Sequence, residues 1–424
     1  MNHIIIGAGP AGVIAAETLR RLDSDDSIIV IGDEDETPYS RMALPYLLAE
    51  NIGEDGTHLR HGADHYAAHG IRVLKGRVTA VDTGAKNVTL EGGDALSYDK
   101  LLIATGSHAS RPPIAGMDLP GIENCWTLAD ARRIAERAKP GAKVVLMGAG
   151  FIGCIVLEAL AARNVELTVI EMADRMLARM MDDAGAEMIR RWCEQKGVRV
   201  LIGTRVESID NGEVGLRINI GGGEPVAADL VVCATGVAPN VGFLEGSGIN
   251  TDLGVIVDDH LQSNVADVYA AGDVAQGPDF STGQSEIHAI QPTASEHARI
   301  AAANMAGRSN RFDGSLSMNV LNTLGLITSS FGLWDGIENG ERATVLDKKH
   351  FKYLRLEFDG DILVGALAIG LTQHVGVLRG LIQTRVKLGH WKRELLRDPH
   401  QAMSAYLGRT QGDTSPLVGA TRAA

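Results

Sequence analysis

Two glycine-rich turns in the sequence have the residue types and spacing to bind phosphate groups. The turns read Gly7-Ala8-Gly9-Pro10-Ala11-Gly12 and Gly148-Ala149-Gly150-Phe151-Ile152-Gly153. Each follows a run of apolar, β-branched residues and precedes a segment with helical spacing, which predicts a strand, a tight turn and a helix. Glycine lets the backbone approach a pyrophosphate, and the N–H groups at the start of the helix attract its charge. The sequence therefore predicts two dinucleotide sites. Their candidate residues are Gly7, Gly9, Pro10, Ala11 and Gly12 for one and Gly148, Gly150, Ile152 and Gly153 for the other.

Carboxylates follow both turns at a distance that suits contact with a ribose. Asp33 and Glu34 come 21 and 22 residues after Gly12, and Glu171 comes 18 residues after Gly153. In a βαβ unit an acid at the end of the second strand accepts hydrogen bonds from ribose hydroxyls. A carboxylate repels the 2′-phosphate of NADPH, so Glu171 favours NAD(H), although Arg175 keeps NADPH open.

Three strand-like segments end in residues that could line these sites. Leu101–Gly106 reads LLIATG, Val231–Gly236 reads VVCATG, and Asp267–Asp273 reads DVYAAGD. Ligands of doubly wound sheets lie outside the carboxyl ends of the strands. Six further residues therefore become candidates for cofactor contact: Ala104, Thr105, Gly106, Gly236, Gly272 and Asp273.

The elements that must position these residues form an α/β fold. We predict two Rossmann-like domains, the second inserted in the first, followed by a C-terminal α+β interface domain. The first predicted dinucleotide-binding domain covers 1–115 and 240–310, the second 116–239, the C-terminal domain 311–408 and a flexible tail 409–424. In the C-terminal part we expect strands at Tyr353–Glu357 and Ile362–Ile369 and helices at Val375–Leu388 and Lys392–Leu407, the second interrupted by Pro399.

Composition excludes several classes of protein. The 424 residues include 50 glycines without a collagen-like period, and 53 acidic against 40 basic residues give a net charge of −13. That sign does not suit a nucleic-acid partner. The four cysteines form no CxxC pair, which argues against a redox disulfide, a zinc site or an iron–sulfur cluster. No membrane span and no signal peptide are expected, and we expect a cytoplasmic location with the cysteines as buried, reduced side chains.

The ordered set of motifs resembles the two-dinucleotide-binding-domain flavoproteins, a pyridine nucleotide-disulfide oxidoreductase-like family, over nearly the whole chain. Pro38-Tyr39-Ser40-Arg41 resembles the branch that contains ferredoxin reductases and the nitrite reductase flavin region. The C-terminal pattern resembles the FAD subunits of phenylglyoxylate dehydrogenase and tungsten aldehyde oxidoreductase complexes. The redox cysteines of the disulfide reductases are absent, since the first cysteine is Cys125.

The resemblance implies roles for individual residues. The first turn would cradle the FAD pyrophosphate, Asp33 or Glu34 would bind the adenosine ribose, and Arg41 would face the FAD phosphates. Asp273 would hydrogen-bond the ribityl or phosphate region, and Thr105 and Gly106 would pack near the cofactor. The second turn and Glu171 would bind NAD(H). A Lys and Glu pair common in the family is replaced by Tyr46 and Ile155, and no catalytic acid or base is predicted.

The resemblance implies an FAD-dependent NAD(H) oxidoreductase that exchanges hydride between nicotinamide and flavin and single electrons with an iron–sulfur partner subunit. Such a chain would be the NAD-reducing subunit of a complex that also has a larger catalytic subunit, and a homodimer through the C-terminal domain is possible. One alternative is a stand-alone NADH oxidase, diaphorase, or ferredoxin or rubredoxin reductase. Another is a flavoprotein that serves as an interaction scaffold.

Two further groups of residues have competing interpretations. His61, His65 and His69 could share a helical face as metal ligands, but the absence of nearby Cys or carboxylate ligands favours a solvated surface. The basic, aromatic stretch Trp391-Lys392-Arg393, with Arg397, could dock a partner, but a structural helix face is the preferred interpretation.

Overall fold

A computed structural model of the chain describes residues 1–22, 25–62 and 64–410. The described part contains α-helices and β-strands in alternation, followed by an antiparallel sheet with helices. The helices are α1 (Pro10–Leu22), α2 (Leu44–Leu48), α3 (His65–Ala68), α4 (Leu128–Arg137), α5 (Phe151–Ala162), α6 (Asp183–Gln195), α7 (Gln291–Met305), α8 (Val375–Thr384), α9 (His390–Arg397) and α10 (Ala402–Thr410).

The strands are short, and most have one or both faces buried. They are β1 (Asn2–Ile6), β2 (Ser27–Gly32), β3 (Ile71–Lys75), β4 (Val78–Asp82), β5 (Asn87–Leu90), β6 (Ala95–Ser97), β7 (Lys100–Ile103), β8 (Ser107–Ala109), β9 (Ile122–Asn124), β10 (Lys143–Met147), β11 (Glu166–Ile170), β12 (Arg199–Leu201), β13 (Val206–Asn211), β14 (Leu216–Ile220), β15 (Val226–Ala228), β16 (Leu230–Cys233), β17 (Val237–Pro239), β18 (Val255–Ile256), β19 (Val268–Ala270), β20 (Ala275–Pro278), β21 (Ser285–Glu286), β22 (Met318–Thr323), β23 (Leu326–Gly332), β24 (Glu341–Asp347), β25 (Lys352–Asp359) and β26 (Ile362–Ile369).

The chain divides into two compact units. Unit 1 comprises Met1–Ser110, Trp126–Ala131 and Val237–Ser315, and unit 2 comprises Arg111–Cys125, Arg132–Gly236 and Leu316–Ala424. Unit 1 is thus interrupted in sequence by part of unit 2. The C-terminal segment clusters with the second nucleotide-binding region, and the four domain boundaries predicted above stay predictions.

Unit 1 is built on a parallel five-stranded sheet with the order β19-β7-β1-β2-β3. Ile4, Ile5 and Leu102 on the central strands have no exposed surface. Burial on both faces is the reason why these strands read as continuous apolar runs rather than as alternating patterns. Helices α1 and α7 pack against each other in this unit. Helix α1 begins at Pro10, because proline is well tolerated in the first turn of a helix.

Unit 2 contains a second parallel sheet with the order β12-β11-β10-β16-β9 and an antiparallel sheet with the order β22-β23-β26-β25-β24. The two parallel sheets confirm the predicted α/β class. In β10 and β16, Leu146, Val231 and Val232 have no exposed surface. The antiparallel sheet is held by the predicted hairpin, in which β25 pairs with β26 and Gly360 occupies the turn at φ +51°.

The C-terminal helices differ in their ends from the prediction. Helix α8 stops at Thr384 rather than Leu388, because Arg385 adopts a left-handed backbone at φ 48° and ends the helix. The predicted interruption near Pro399 is confirmed, since α9 ends at Arg397 and α10 begins at Ala402. Helix α10 reaches Thr410, and the rest of the predicted tail, 411–424, lies outside the described residues. Within that described part, none of the helices has both the length and the apolar character needed to cross a membrane.

Candidate functional site

The first glycine turn joins β1 to α1 at the carboxyl edge of the parallel sheet in unit 1. A Cβ atom on Gly7 would lie 2.0 Å from the carbonyl oxygen of Ala104, and one on Gly12 would lie 1.9 Å from that of Gly7. These two glycines are therefore required by close packing within the protein. Gly9 differs, because a Cβ there would meet no atom within 4 Å. Its missing side chain leaves open space beside the first turn of α1, where a phosphate can approach the backbone.

The second turn, between β10 and α5 in unit 2, repeats this arrangement. A Cβ on Gly148 would lie 2.5 Å from the carbonyl oxygen of Ala234, and one on Gly153 would lie 2.2 Å from that of Gly148. Gly150, the middle glycine, again faces open space. Ile152 is partly exposed in the first turn of α5. Each unit therefore has an open cradle at a helix N-terminus that suits a pyrophosphate.

The two Ala-Thr-Gly segments form the opposite wall of each turn. In unit 1, the Thr105 hydroxyl donates to the carbonyl of Asn240 at 2.9 Å, and the side-chain amide of Asn240 donates to the carbonyl of Thr105 at 2.8 Å. Gly106 and Gly236 have φ of +62° and +126°, and a side chain on either would enter empty space. The backbone at both positions can approach a ligand closely.

The acids after β2 have different partners. Glu34 accepts hydrogen bonds from the Tyr39 hydroxyl at 2.6 Å and from Arg41 Nη2 at 2.7 Å. Asp33 is half-exposed just after the strand and lies 3.1 Å from Arg77. Because Glu34 is committed to Arg41, this arrangement favours Asp33 as the ribose ligand.

Arg41 is fixed by more partners than sequence reasoning anticipated. Its Nη1 donates to the carbonyl of Trp126 at 2.7 Å, and its guanidinium lies over the rings of Tyr39 and Trp126 at 5.6 and 5.5 Å. Trp126 was missed as a site residue, because nothing in its sequence neighbourhood links it to Arg41. A cation held on two aromatic faces is well placed to meet a phosphate without losing side-chain freedom on binding.

Asp273 is a titratable group of unit 1 with a perturbed pKa. It follows Gly272, which has φ +80°, and its Oδ2 accepts a hydrogen bond from the Ser107 hydroxyl at 2.9 Å. Burial raises the pKa of this carboxyl, against the opposing effects of Ser107 and Arg41. Perturbed carboxyls in clefts are typical of functional sites. Ser107 was not predicted, although it directly follows the Ala-Thr-Gly segment.

Glu171 lies at the end of β11 and is held by the backbone. Its Oε2 accepts from the N–H of Ala149 at 2.6 Å and its Oε1 from the N–H of Ala173 at 2.7 Å. The carboxylate thus lies on the glycine turn, with lone pairs left for ribose hydroxyls. Arg175 contacts Asp174 and Asp183, each at 3.2 Å, so its charge is already partly neutralised. Both facts favour NAD(H).

The four cysteines are buried and are not joined in disulfides: Cys125, Cys154, Cys193 and Cys233. Burial raises the pKa of Cys154 well above its usual range and that of Cys193 to about 12. A thiol with a raised pKa holds little thiolate and is a poor nucleophile. The cysteines therefore give no support for disulfide chemistry.

The histidines near α3 and the basic, aromatic stretch of α9 make contacts within the protein. Helix α3 covers only His65–Ala68, so His61 lies outside it, while the rings of His65 and His69 lie 4.4 Å apart between their centroids. His65 Nε2 lies 2.9 Å from Glu17. Gly408 packs against the ring of Trp391, and Lys392 pairs with Glu341. Tyr46 is 58% exposed, and Ile155 is partly buried on α5.

Comparisons with known proteins agree with this geometry. Residues 1–302 match the family model described as "Pyridine nucleotide-disulphide oxidoreductase". The chain is 29% identical over 402 residues to subunit epsilon of the NADH-dependent phenylglyoxylate dehydrogenase of Aromatoleum evansii, covering 94% of this chain and 95% of that protein. It is 33% identical over 312 residues to a probable ferredoxin reductase of Castellaniella defragrans, covering 72% and 75%. The structure of a NAD-dependent persulfide reductase from A. fulgidus matches with a TM-score of 0.85 and 29% identity, over 92% of this chain and 78% of that one.

Proposed function

Because this chain belongs to the pyridine nucleotide-disulphide oxidoreductase family, and is an FAD-containing, NAD(H)-dependent oxidoreductase, we propose that it exchanges electrons with a separate iron–sulfur protein as the NAD-reducing subunit of a larger complex. The observation that carries the proposal is the state of the four cysteines. All are buried, none is joined in a disulfide, and none lies in the first glycine turn or in α1. Without a thiol relay in the chain, electrons pass directly to an external acceptor, which we propose to be the iron–sulfur protein.

The match to the phenylglyoxylate dehydrogenase subunit supports the role in a complex. That relative matches over 94% of this chain, whereas the probable ferredoxin reductase matches over 72%. A larger catalytic subunit, which would supply or receive the electrons, belongs to the same proposal. So do a homodimer through the C-terminal part and a cytoplasmic location.

The residues of each unit have distinct roles in this proposal. In unit 1, the turn at Gly9 binds the pyrophosphate of FAD, Asp33 binds its ribose, and Arg41 and Asp273 hold the phosphate and ribityl region. In unit 2, the turn at Gly150 and Glu171 bind NAD(H). When bound, FAD exchanges hydride with nicotinamide and single electrons with one-electron carriers. In this proposal the protein binds each cofactor through its phosphate and ribose groups, which do not react. These contacts orient the flavin and nicotinamide rings and leave the reacting atoms free.

Anaerobic titration of the purified protein with NADH tests the proposal. We expect protein with FAD bound, bleaching of the flavin absorbance by about one equivalent of NADH, and an iron–sulfur protein that co-purifies from the native source. A chain that carries no flavin and cannot be reconstituted with FAD contradicts the cofactor assignment. Bleaching without any iron–sulfur partner, together with rapid oxygen consumption, supports the stand-alone NADH oxidase instead. Flavin that NADH does not reduce supports the scaffold.

A further inference from the structure

The hairpin between Asp273 and helix α7 in unit 1 brings together three side chains that the proposed electron transfer does not use. Asp279 follows β20, Glu286 lies in β21, and His288 follows that strand. One carboxylate oxygen from each acid and an imidazole nitrogen lie within 4.8 Å of one another. A zinc ion sits about 2.1 Å from such ligands, so a small rotation of the exposed Glu286 side chain lets one ion contact all three.

The imidazole of His288 points to a ligand rather than to a simple ion pair. Its side chain is 10% exposed, and its Nε2 lies 2.9 Å from Asp279 Oδ2. That nitrogen is nevertheless buried without a hydrogen bond. His288 Nε2 and Asp279 Oδ2 are thus close together but poorly aligned for a hydrogen bond. This is expected when both atoms are directed at one metal ion rather than at each other.

Asp279 is prepared to serve as a buried ligand. Its side chain is 3% exposed, and its Oδ1 accepts from the N–H groups of Ser281 and Thr282 and from the Thr282 hydroxyl. These three contacts fix the carboxylate and leave Oδ2 directed to His288. A carboxylate buried to this extent needs a positive partner.

A second group of two acids and one histidine in unit 1 has the same close spacing but different contacts. Asp258, Asp259 and His260 are equally close to one another. There Asp259 pairs with Arg311, its Oδ1 lies 2.7 Å from His260 Nδ1, and Asp258 accepts from the backbone N–H groups of His260 and Gln262. The charges of that triad are met by the protein itself, so it serves as a matched comparison.

We propose that Asp279, Glu286 and His288 form a binding site for a divalent transition metal ion of the zinc class. One imidazole and two carboxylates suit Zn²⁺, and three protein ligands leave a position for water. The exposed side of Glu286 gives the ion a way in. Bound there, the ion ties both ends of the hairpin together immediately before α7, the helix whose first residue, Gln291, accepts a hydrogen bond from Ser40 at 2.5 Å. This inference is independent of the proposed electron partner.

Competition between the untagged, FAD-loaded protein and a colorimetric zinc chelator tests the site. We expect about one equivalent of Zn²⁺ to bind, with an affinity at least about tenfold lower in both Glu286→Gln and His288→Ala. Glu286 is exposed, so the Glu286→Gln variant keeps its fold even where loss of His288 disturbs the hairpin. His260→Ala, in the comparison triad, should bind zinc as the wild type does.

Thermal unfolding of the same proteins gives a readout apart from activity. Zinc should raise the midpoint of the wild type and of His260→Ala but not that of Glu286→Gln. Wild-type protein that binds no zinc, or a Glu286→Gln variant that binds it with unchanged affinity, overturns the proposal. In the first case Asp279 and His288 form an ion pair only. Failure of this site leaves flavin reduction by NADH untouched, so the two proposals fail separately.

Discussion

At the scale of single residues, the glycines of the two turns serve two purposes. The first and third glycine of each turn are required because a carbonyl oxygen occupies the place of their Cβ, as at Gly12 and Gly153. The middle glycines, Gly9 and Gly150, meet nothing in the protein. At these two positions the open space lies at the N-terminus of a helix, where a phosphate group can approach the backbone.

This distinction predicts opposite effects of two neighbouring substitutions. Gly150→Ala should leave thermal stability unchanged and raise the KM for NADH about tenfold, because the methyl group keeps the pyrophosphate off the backbone. Gly153→Ala should cost about 1–3 kcal/mol of stability, because its Cβ would lie 2.2 Å from the Gly148 carbonyl oxygen. Steady-state kinetics and thermal unfolding measure both effects. Equal destabilisation by both variants would refute the assignment of Gly150 to a ligand.

The buried carboxyl of Asp273 predicts a pH effect on the flavin-free protein. Because burial raises the pKa in the folded state, the unfolded state loses this proton first as the pH rises. The free energy of unfolding contributed by Asp273 therefore falls with increasing pH, from the ordinary Asp range up to the raised pKa. Asp273→Asn removes the contribution and still accepts from Ser107. The stability of the variant relative to that of the wild type should be greater at pH 7.5 than at pH 4. The same difference in melting temperature at both pH values would contradict this.

At the scale of elements, strand β25 is joined to the start of helix α6 by buried charge. Arg355 is 5% exposed, and it donates to Asp182 at 2.9 Å and to Glu357 at 2.5 Å. Asp182 also caps α6 by accepting from the N–H of Gly185. These contacts lie within unit 2, and they explain why the C-terminal sheet and the second parallel sheet belong to one compact unit.

Replacing Arg355 should lower the free energy of unfolding far more than replacing Arg342. Arg355→Met leaves the buried Glu357 and Asp182 with less compensation and should cost about 3–5 kcal/mol. Arg342 also donates to Glu357 Oε1, but its side chain is 49% exposed. Arg342→Met should therefore cost about 1 kcal/mol or less. Chemical denaturation monitored by tryptophan fluorescence compares the two, and equal losses would show that burial does not govern the network.

At the scale of the whole molecule, the division into units predicts the result of a truncation. A chain that ends at Ser315 keeps all of unit 1 but removes the antiparallel sheet from unit 2. The indole N–H of Trp192 then loses its acceptor, the carbonyl of Leu324, and Asp182 loses its contact with Arg355. We expect such a protein to retain FAD and to lose reduction by NADH. Flavin content and anaerobic bleaching measure this, and reduction at the wild-type rate would mean that unit 2 does not need its C-terminal segment.

The sequence by itself determined the local elements and the two glycine turns with open space at their middle residues. The strand, glycine turn and helix around Gly7–Gly12 and Gly148–Gly153 follow from contacts between residues close in sequence and from the absence of a Cβ. The apolar runs at β1 and β10 required burial on both faces, hence parallel sheets. For these features the information is local, and the structure agrees with the prediction.

Only the tertiary structure decided which groups meet across long stretches of chain. It paired Glu34 with Arg41, placed the Arg41 guanidinium over the rings of Tyr39 and Trp126, and brought Ser107 to Asp273. It also joined the C-terminal sheet to the second unit through Arg355. Such contacts depend on how sheets and helices pack, and packing is governed by the total fit of many side chains rather than by any short pattern. Local spacing therefore identified the two glycine turns, and the fold decided which side chains lie together around them.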